Sequence, residues 1–301
     1  MTMDGVININ KPAGWTSQDV CAKLKRALHV KKAGHTGTLD PMATGVLPVC
    51  MGKATRTIEY YDMDSKSYHA CMKLGITTDT LDITGSILET CGYSKVSEKA
   101  VREAFKAYTG HVMQIPPKYS AIRIDGKRAY DLAREGKAFE IKPREITVFA
   151  NEVTYLDLES GEIEFDISCS KGTYIRTVCD DIGRALGCGA VMTALTRTAS
   201  GYFRIENAHT LEEIIEASEK GEEEVEKMLI PADVTLEKLG RIILNDNRIT
   251  AFINGNSSWP NGFRIIEPSE FNEMFRVYGN GSFLGVAAVE NGSLVPKKVV
   301  R

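Results

Sequence analysis

Apolar residues recur along this chain with two periods, and the change from one to the other marks its elements. From Thr16 onward, Val20, Leu24, Ala27 and Leu28 fall at helical spacing, and Thr16 with Asp19 fits a capping box at the helix start. In Ser67 to Leu74 the period is two: Tyr68, Ala70, Met72 and Leu74 alternate with His69, Cys71 and Lys73, as in a half-buried strand. Gly5 to Asn10 is β-prone, Val46 to Met51 reads as a buried strand, and Ala54 to Tyr61 reads as a helix. Val101, Phe105 and Tyr108 make Ser97 to Tyr108 an amphipathic helix stopped by Gly110. Strands near 144–156 and 162–169 precede a helix over about 174–186, closed by Gly187. Adjacent strands of this kind pair as antiparallel hairpins, so the expected class is α+β, a mixed, largely antiparallel sheet with flanking helices. An acidic helix over 210–230, followed by Pro231, divides a large domain, 1–230, from a small β domain, 231–301. In the latter, β-like runs (275–278, 283–289, 294–300) alternate with Gly/Asn turns.

Composition adds little until charge is mapped along the chain. With 43% hydrophobic and 26% charged residues in 301, the chain can bury a full core. No stretch approaches the roughly 18 apolar residues of a membrane span, and Met1 to Gly5 lacks the blocks of a signal peptide, which makes the cytoplasm the expected location. The seven cysteines form no C-x-x-C pair and read as reduced, mostly buried side chains, with no metal site among them. The net charge is −3, but residues 211–230 hold eight glutamates against two lysines. Residues 1–60 and 118–144 each carry eight Lys/Arg against four Asp/Glu. Such segregation suits a polyanionic partner bound on one face.

Gly34 to Pro48, G-H-T-G-T-L-D-P-M-A-T-G-V-L-P, carries the chemistry. Helices and central strands reject this mixture of Gly and Pro, so it forms a shaped loop. Pro41 pushes Asp40 onto extended backbone, and a lone carboxylate held beside apolar neighbours suits a nucleophile or a base. The alternative is an Asx-type turn in which Asp40 caps its own backbone.

This run resembles the active-site motif of the TruB-type pseudouridine synthases, and further motifs match in the same order over residues 3–200. The resemblance implies a pseudouridine synthase fold with a PUA-like C-terminal domain. It also implies isomerisation of uridine in the T loop of tRNA (position 55), by base flipping and with no metal or other cofactor. Carried over by position, Asp40 is the catalytic nucleophile, which would attack either the uracil ring or the ribose anomeric carbon. Tyr68 is the active-site tyrosine, with an ordinary core tyrosine as its alternative. Arg176, in K-G-T-Y-I-R-T, is the arginine that pairs with the aspartate, with a surface arginine as its alternative. Tyr174 and Leu195 line the uridine pocket, and His35 lies where the target nucleotide leaves the stack. Thr196 stands where the family often has a second basic residue. Lys11 and Pro12 match the N-K-P-x-G-x-T-S motif and support the loop structurally. A basic, aromatic-bearing insertion over about 116–145, with Lys127 and Arg128, resembles the element that grips the T stem-loop. Its presence favours a monomeric enzyme acting on tRNA without a protein partner. The competing readings are a subunit of a guide-RNA-dependent synthase and a non-catalytic RNA-binding helper of tRNA folding.

Overall fold

The computed structural model describes residues 3–63, 65–120, 122–124, 126–271 and 273–300; Ala121 and Asp125 of the expected insertion lie outside the described residues. The chain forms two compact units, one of Met1–Pro41, Gly45–Met63 and Gly201–Arg301, the other of Met42–Thr44 and Asp64–Ser200.

The first unit opens with β1 (Gly5–Lys11), α1 (Ser17–Ala27) and β2 (Ala33–His35), followed by β3, which begins at Thr44 and ends at Met51. β3 is the common partner: β1 runs antiparallel to it from Gly5 opposite Met51 to Lys11 opposite Gly45, and β2 sets His35 opposite Val49. The expected capping box starts α1, with the Thr16 hydroxyl accepting from the Asp19 amide and the Asp19 carboxylate accepting from the Thr16 amide, each at 3.0 Å. The helix expected at 54–61 is a 3-10 helix over Gly52–Met63. Its buried positions Ala54, Thr57 and Tyr60 recur every third residue, the period of three residues per turn.

The second unit contains β4 (Lys66–Leu74), the hairpin β5 (Ile76–Thr78) and β6 (Ile87–Thr90), α2 (Glu98–Ala107) and β7 (Gly110–Gln114). There follow β8 (Arg123–Ile124), β9 (Lys127–Arg128), α3 (Ala129–Arg134), β10 (Arg144–Asp157), β11 (Glu162–Cys169), α4 (Ile175–Ala185) and β12 (Ala190–Ser200). Its sheet runs β12-β4-β11-β10-β7, every neighbour antiparallel. β4 is therefore paired on both sides, and its alternate residues Tyr68, Ala70, Met72 and Leu74 are buried, as the period of two requires.

After residue 200 the chain rejoins the first unit through β13 (Phe203–Arg204) and two helices, α5 (Leu211–Lys220) and α6 (Glu222–Glu226). A single helix over 210–230 is thus corrected to two. Gly221 breaks it with φ +134°, a backbone state that residues other than glycine rarely adopt. Val6 then bridges Ile230 in antiparallel fashion. The C-terminal part comprises β14 (Gly240–Leu244), α7 (Asp246–Ile253), β15 (Phe263–Glu267), β16 (Met274–Gly279), β17 (Ser282–Glu290) and β18 (Ser293–Val299). These strands lie in the order β15-β14-β16-β17-β18, with β14 and β16 parallel. One buried cluster joins both ends of this unit, uniting Val6, Val46, Cys50, Tyr60 and Tyr61 with Phe203, Leu236, Leu239 and Val286. Among the described residues no helix is long and apolar enough to cross a membrane.

Candidate active site

Asp40 sits on the loop between β2 and β3, half-buried, and the backbone on each side of it is tied down. Before it, buried Ser17 accepts a hydrogen bond from the Leu39 amide at 2.9 Å and donates to the Leu39 carbonyl at 3.2 Å, so one hydroxyl satisfies both backbone groups. After it, the Pro41 carbonyl accepts from the Gly14 amide at 2.8 Å and from Lys11 Nζ at 3.1 Å. Lys11 is fully buried, and its ammonium also donates to the carbonyls of Pro12 at 2.9 Å and Trp15 at 2.6 Å. An ammonium has three N–H donors and can be tolerated in the interior only when they are used. The K-P-x-G-W-T-S segment therefore acts through backbone contacts as a cradle for the loop. His35 ends β2 and belongs to the same unit as Asp40.

Tyr68, Tyr174, Arg176 and Leu195 belong to the other unit. Tyr68 is 7% exposed and lies opposite Ile167 of β11 on one side and Arg197 of β12 on the other. Arg197 is buried at 1% exposure and hydrogen-bonds to the Tyr68 side chain. Burial pulls its guanidinium below the ordinary arginine value, and the neighbouring Tyr68 opposes that shift. Leu195 is buried two residues earlier on β12. Thr196 points its hydroxyl at the Thr44 hydroxyl, 2.8 Å away, so the residue in the position of the expected second base makes a threonine pair.

Arg176, the second residue of α4, is 5% exposed, which disposes of the surface alternative. Its guanidinium donates to the carbonyls of Thr80 and Tyr119, each at 3.0 Å, and stands 3.7 Å from the Asp82 carboxylate. That carboxylate accepts from the Thr80 hydroxyl (2.9 Å), the Thr84 amide (3.0 Å) and the Thr84 hydroxyl (2.6 Å). A cation at a helix start is disfavoured by the dipole, and here these acceptors offset it. Tyr174 is the N-cap; its amide donates to Gln114 Oε1 at 2.8 Å and its carbonyl accepts from Gln114 Nε2 at 3.2 Å. Within the insertion, Lys127 and Arg128 are exposed on β9, and the Arg134 guanidinium lies 4.6 Å from the centre of the Tyr130 ring. The structure thus brings Tyr68 beside Arg197 and ties Arg176 to Asp82 and Tyr119.

Four contributors were not singled out from sequence: Ser17, Asp82, Gln114 and Arg197. Arg197 had a readable signal, since it shares the inward face of a strand with Leu195, where an arginine needs a buried partner. Asp82 had a weaker one in Asp82-x-Thr84, a local side-chain-to-backbone pattern. Ser17 closes the N-K-P-x-G-x-T-S motif, but its partner Leu39, like Gln114's partner Tyr174, is distant in sequence and no local pattern announces the contact.

The chain matches the model of the TruB family pseudouridylate synthase (N terminal domain) over residues 25–175. It matches the tRNA pseudouridylate synthase B C-terminal domain over 176–237 and the pseudouridine synthase II TruB, C-terminal, over 241–300. The chain belongs to the TruB family. It is 42% identical over 284 residues to the tRNA pseudouridine synthase B of Clostridium tetani, covering 94% of this chain and 95% of that protein. It is 41% identical over 284 residues to the tRNA pseudouridine synthase B of Clostridioides difficile, covering 94% of each. Among solved structures it is similar to a Cbf5-Nop10-Gar1 complex chain (TM-score 0.76, 28% identity, 99% of this chain and 85% of that one). A chain of an H/ACA RNP bound to a substrate RNA containing 2'-deoxyuridine is also similar (TM-score 0.74, 26% identity, 99% and 85%).

Proposed function

We propose that this chain isomerises uridine to pseudouridine in tRNA, at position 55 of the T loop, as a monomer that needs neither a guide RNA nor a protein partner. The observation that carries the reading is the run of three TruB matches through residues 25–300, joined to 42% identity with a tRNA pseudouridine synthase B. In this reading Asp40 is the nucleophile, attacking uracil C6 or ribose C1′. The N1–C1′ bond breaks, the base turns and C5 bonds to C1′; the bond to Asp40 breaks, returning the free carboxylate, C5 loses its proton and N1 gains one. Product and substrate are isomers, so the reaction is redox-neutral. Tyr68 stacks on the flipped base, and its phenol is a candidate for proton transfer at C5. Arg176 fixes and ionises the Asp40 carboxylate, a role that a rigidly anchored guanidinium suits. Tyr174 and Leu195 flank the base, His35 fills the gap it leaves, and Lys127 and Arg128 neutralise phosphates. Lys11 and Pro12 hold the loop. Residues 1–230 form the catalytic domain and 231–301 a small RNA-binding β domain.

A second reading, a guide-dependent synthase subunit, is favoured by the TM-score of 0.76 to a chain from a Cbf5-Nop10-Gar1 complex. Against it stand the 28% identity of that match beside 42% for the tRNA enzyme, and the basic insertion. The test is incubation of the purified protein with an unmodified T-arm stem-loop, followed by chemical detection of pseudouridine. Product with no other RNA or protein present supports the proposal. Product only after a guide RNA and partner proteins are added supports the second reading. Tight binding with no product in either case leaves a non-catalytic helper of tRNA folding.

A further inference from the structure

Between Asp19 and Asp40 the chain has no acidic residue, yet it carries Lys23, Lys25, Arg26, Lys31 and Lys32. Three of these cations converge. Gln18, Cys21, Ala22 and Lys25 form one stripe of α1, and with Lys31, Lys32, Gly34 and Thr55 they line a concavity of about 460 Å³ that no acidic side chain enters. The left-handed backbone of His29 (φ 51°) turns the chain at the end of α1. The Lys32 carbonyl then accepts from the Gly52 amide at 2.9 Å, which fixes the two-lysine segment against the start of the 3-10 helix. The floor is uncharged: burial pushes the Cys21 thiol up to about 11, and a hydrogen bond from the His35 backbone opposes the shift without reversing it. That contact also ties the floor to the residue that heads the Asp40 loop.

Two basic side chains of α2 are placed differently. On α2, Lys99 pairs with Glu103 at 3.9 Å and Arg102 with Glu98 at 2.8 Å, so those charges are already compensated. Lys25, Lys31 and Lys32 are exposed, and a bound anion would relieve their mutual repulsion. The space exceeds what a single small ion needs and suits a sugar-phosphate.

We propose that this concavity is a phosphate-binding subsite for the RNA backbone, holding the strand that leads to the nucleotide at the Asp40 loop. The proposal rests on the tRNA reading above and adds a place of contact to it. Lysines are flexible point charges and not bidentate readers, so the subsite accepts phosphodiesters whatever the base sequence.

The test compares the parent protein with Lys25→Ala/Lys31→Ala/Lys32→Ala, measuring affinity for an unmodified T-arm stem-loop across a salt series. Each lost phosphate contact lowers the slope of log affinity against log salt by about 0.7 to 0.9, so the triple variant should lose roughly 2 to 2.7. Turnover at saturating RNA should match the parent. Replacing the same three lysines by arginine should restore the slope, and the control Lys99→Ala/Arg102→Ala should leave it unchanged. A triple-alanine slope equal to the parent's overturns the proposal, as does an arginine variant that behaves like the alanine one. A site for free anions would instead show as protection of the parent against heating by inorganic phosphate, lost in the triple variant while the RNA slope stays put; that result also overturns it. The parent's own product yield on the same RNA is a separate readout: no pseudouridine there counts against the function proposed above and leaves the salt slopes to judge the subsite.

Discussion

A carboxylate proposed as a nucleophile needs a direction as well as a charge, and the backbone on either side of Asp40 is hydrogen-bonded in place. If the anion is what reacts, Asp40→Asn should abolish product while T-arm affinity stays near the parent's, because the amide keeps the shape and loses the charge. Turnover within about tenfold of the parent would remove Asp40 from the reaction. Ser17→Ala leaves the buried Leu39 amide without its hydroxyl partner, a loss of about 1–3 kcal/mol. If the hydroxyl also positions Asp40, kcat should fall with KM unchanged, and Ser17→Thr should recover part of the rate; a melting-temperature drop with normal kcat would leave Ser17 a purely structural residue. Arg176→Lys should lose most activity, since an ammonium cannot serve the Thr80 and Tyr119 carbonyls and a carboxylate from one plane. A lysine variant with full kcat would reduce Arg176 to packing. Asp40 itself stood out because Gly and Pro around an acid are locally legible. Arg197 and Asp82 stand out less: the signal at Arg197 needs its strand face to be known as buried, and Asp82 shows only a local turn pattern with Thr84.

At the scale of elements, local rules worked where one short-range interaction decides the outcome. The Thr16–Asp19 box, the alternation in β4 and the stop at Gly187 are all settled within a few residues. The reading was coarser where a period had to be told from a near neighbour. Ala54, Thr57 and Tyr60 distinguish three residues per turn from 3.6 only over several turns. In the C-terminal part, β14 and β15 are not legible in the sequence, because β14 pairs in parallel with β16, a connection no hairpin turn announces. The insertion is the element with the plainest consequence. Neutralising Lys127 and Arg128 together should weaken RNA binding, lower the salt slope by about 1.4 to 1.8 if both touch phosphates, and leave the turnover of bound RNA unchanged. An unchanged slope with slower turnover would move the pair from phosphate contact to the chemistry.

Taken as a whole molecule, the chain has a first unit whose two ends share one interior. Val6 and Val46, both fully buried, pack in the same cluster as Leu236, Leu239 and Val286, and the Tyr61 hydroxyl meets that of Thr235. Burial of each large apolar side chain contributes about 1.5–3 kcal/mol, so losing residues 231–301 removes several such contributions at once. A chain ending at residue 230 should therefore be insoluble or lack the near-ultraviolet circular dichroism of packed aromatics; a soluble truncation with a sharp melting transition would contradict this. Composition reveals a β-rich tail but not this dependence, since nothing local in Val286 says that it shares a core with Val6. The shared interior also limits how such a protein can diversify. A foreign tail grafted after residue 230 would have to reproduce side chains complementary to β1 and β3, so chimeras should fail unless the donor carries the same inner face. Change is free on the outside, at positions such as Trp259, 71% exposed, and Ile265 on β15, 49% exposed. Across descendants of this chain, the residues of that outer skin should drift while the seam beneath it stays constant.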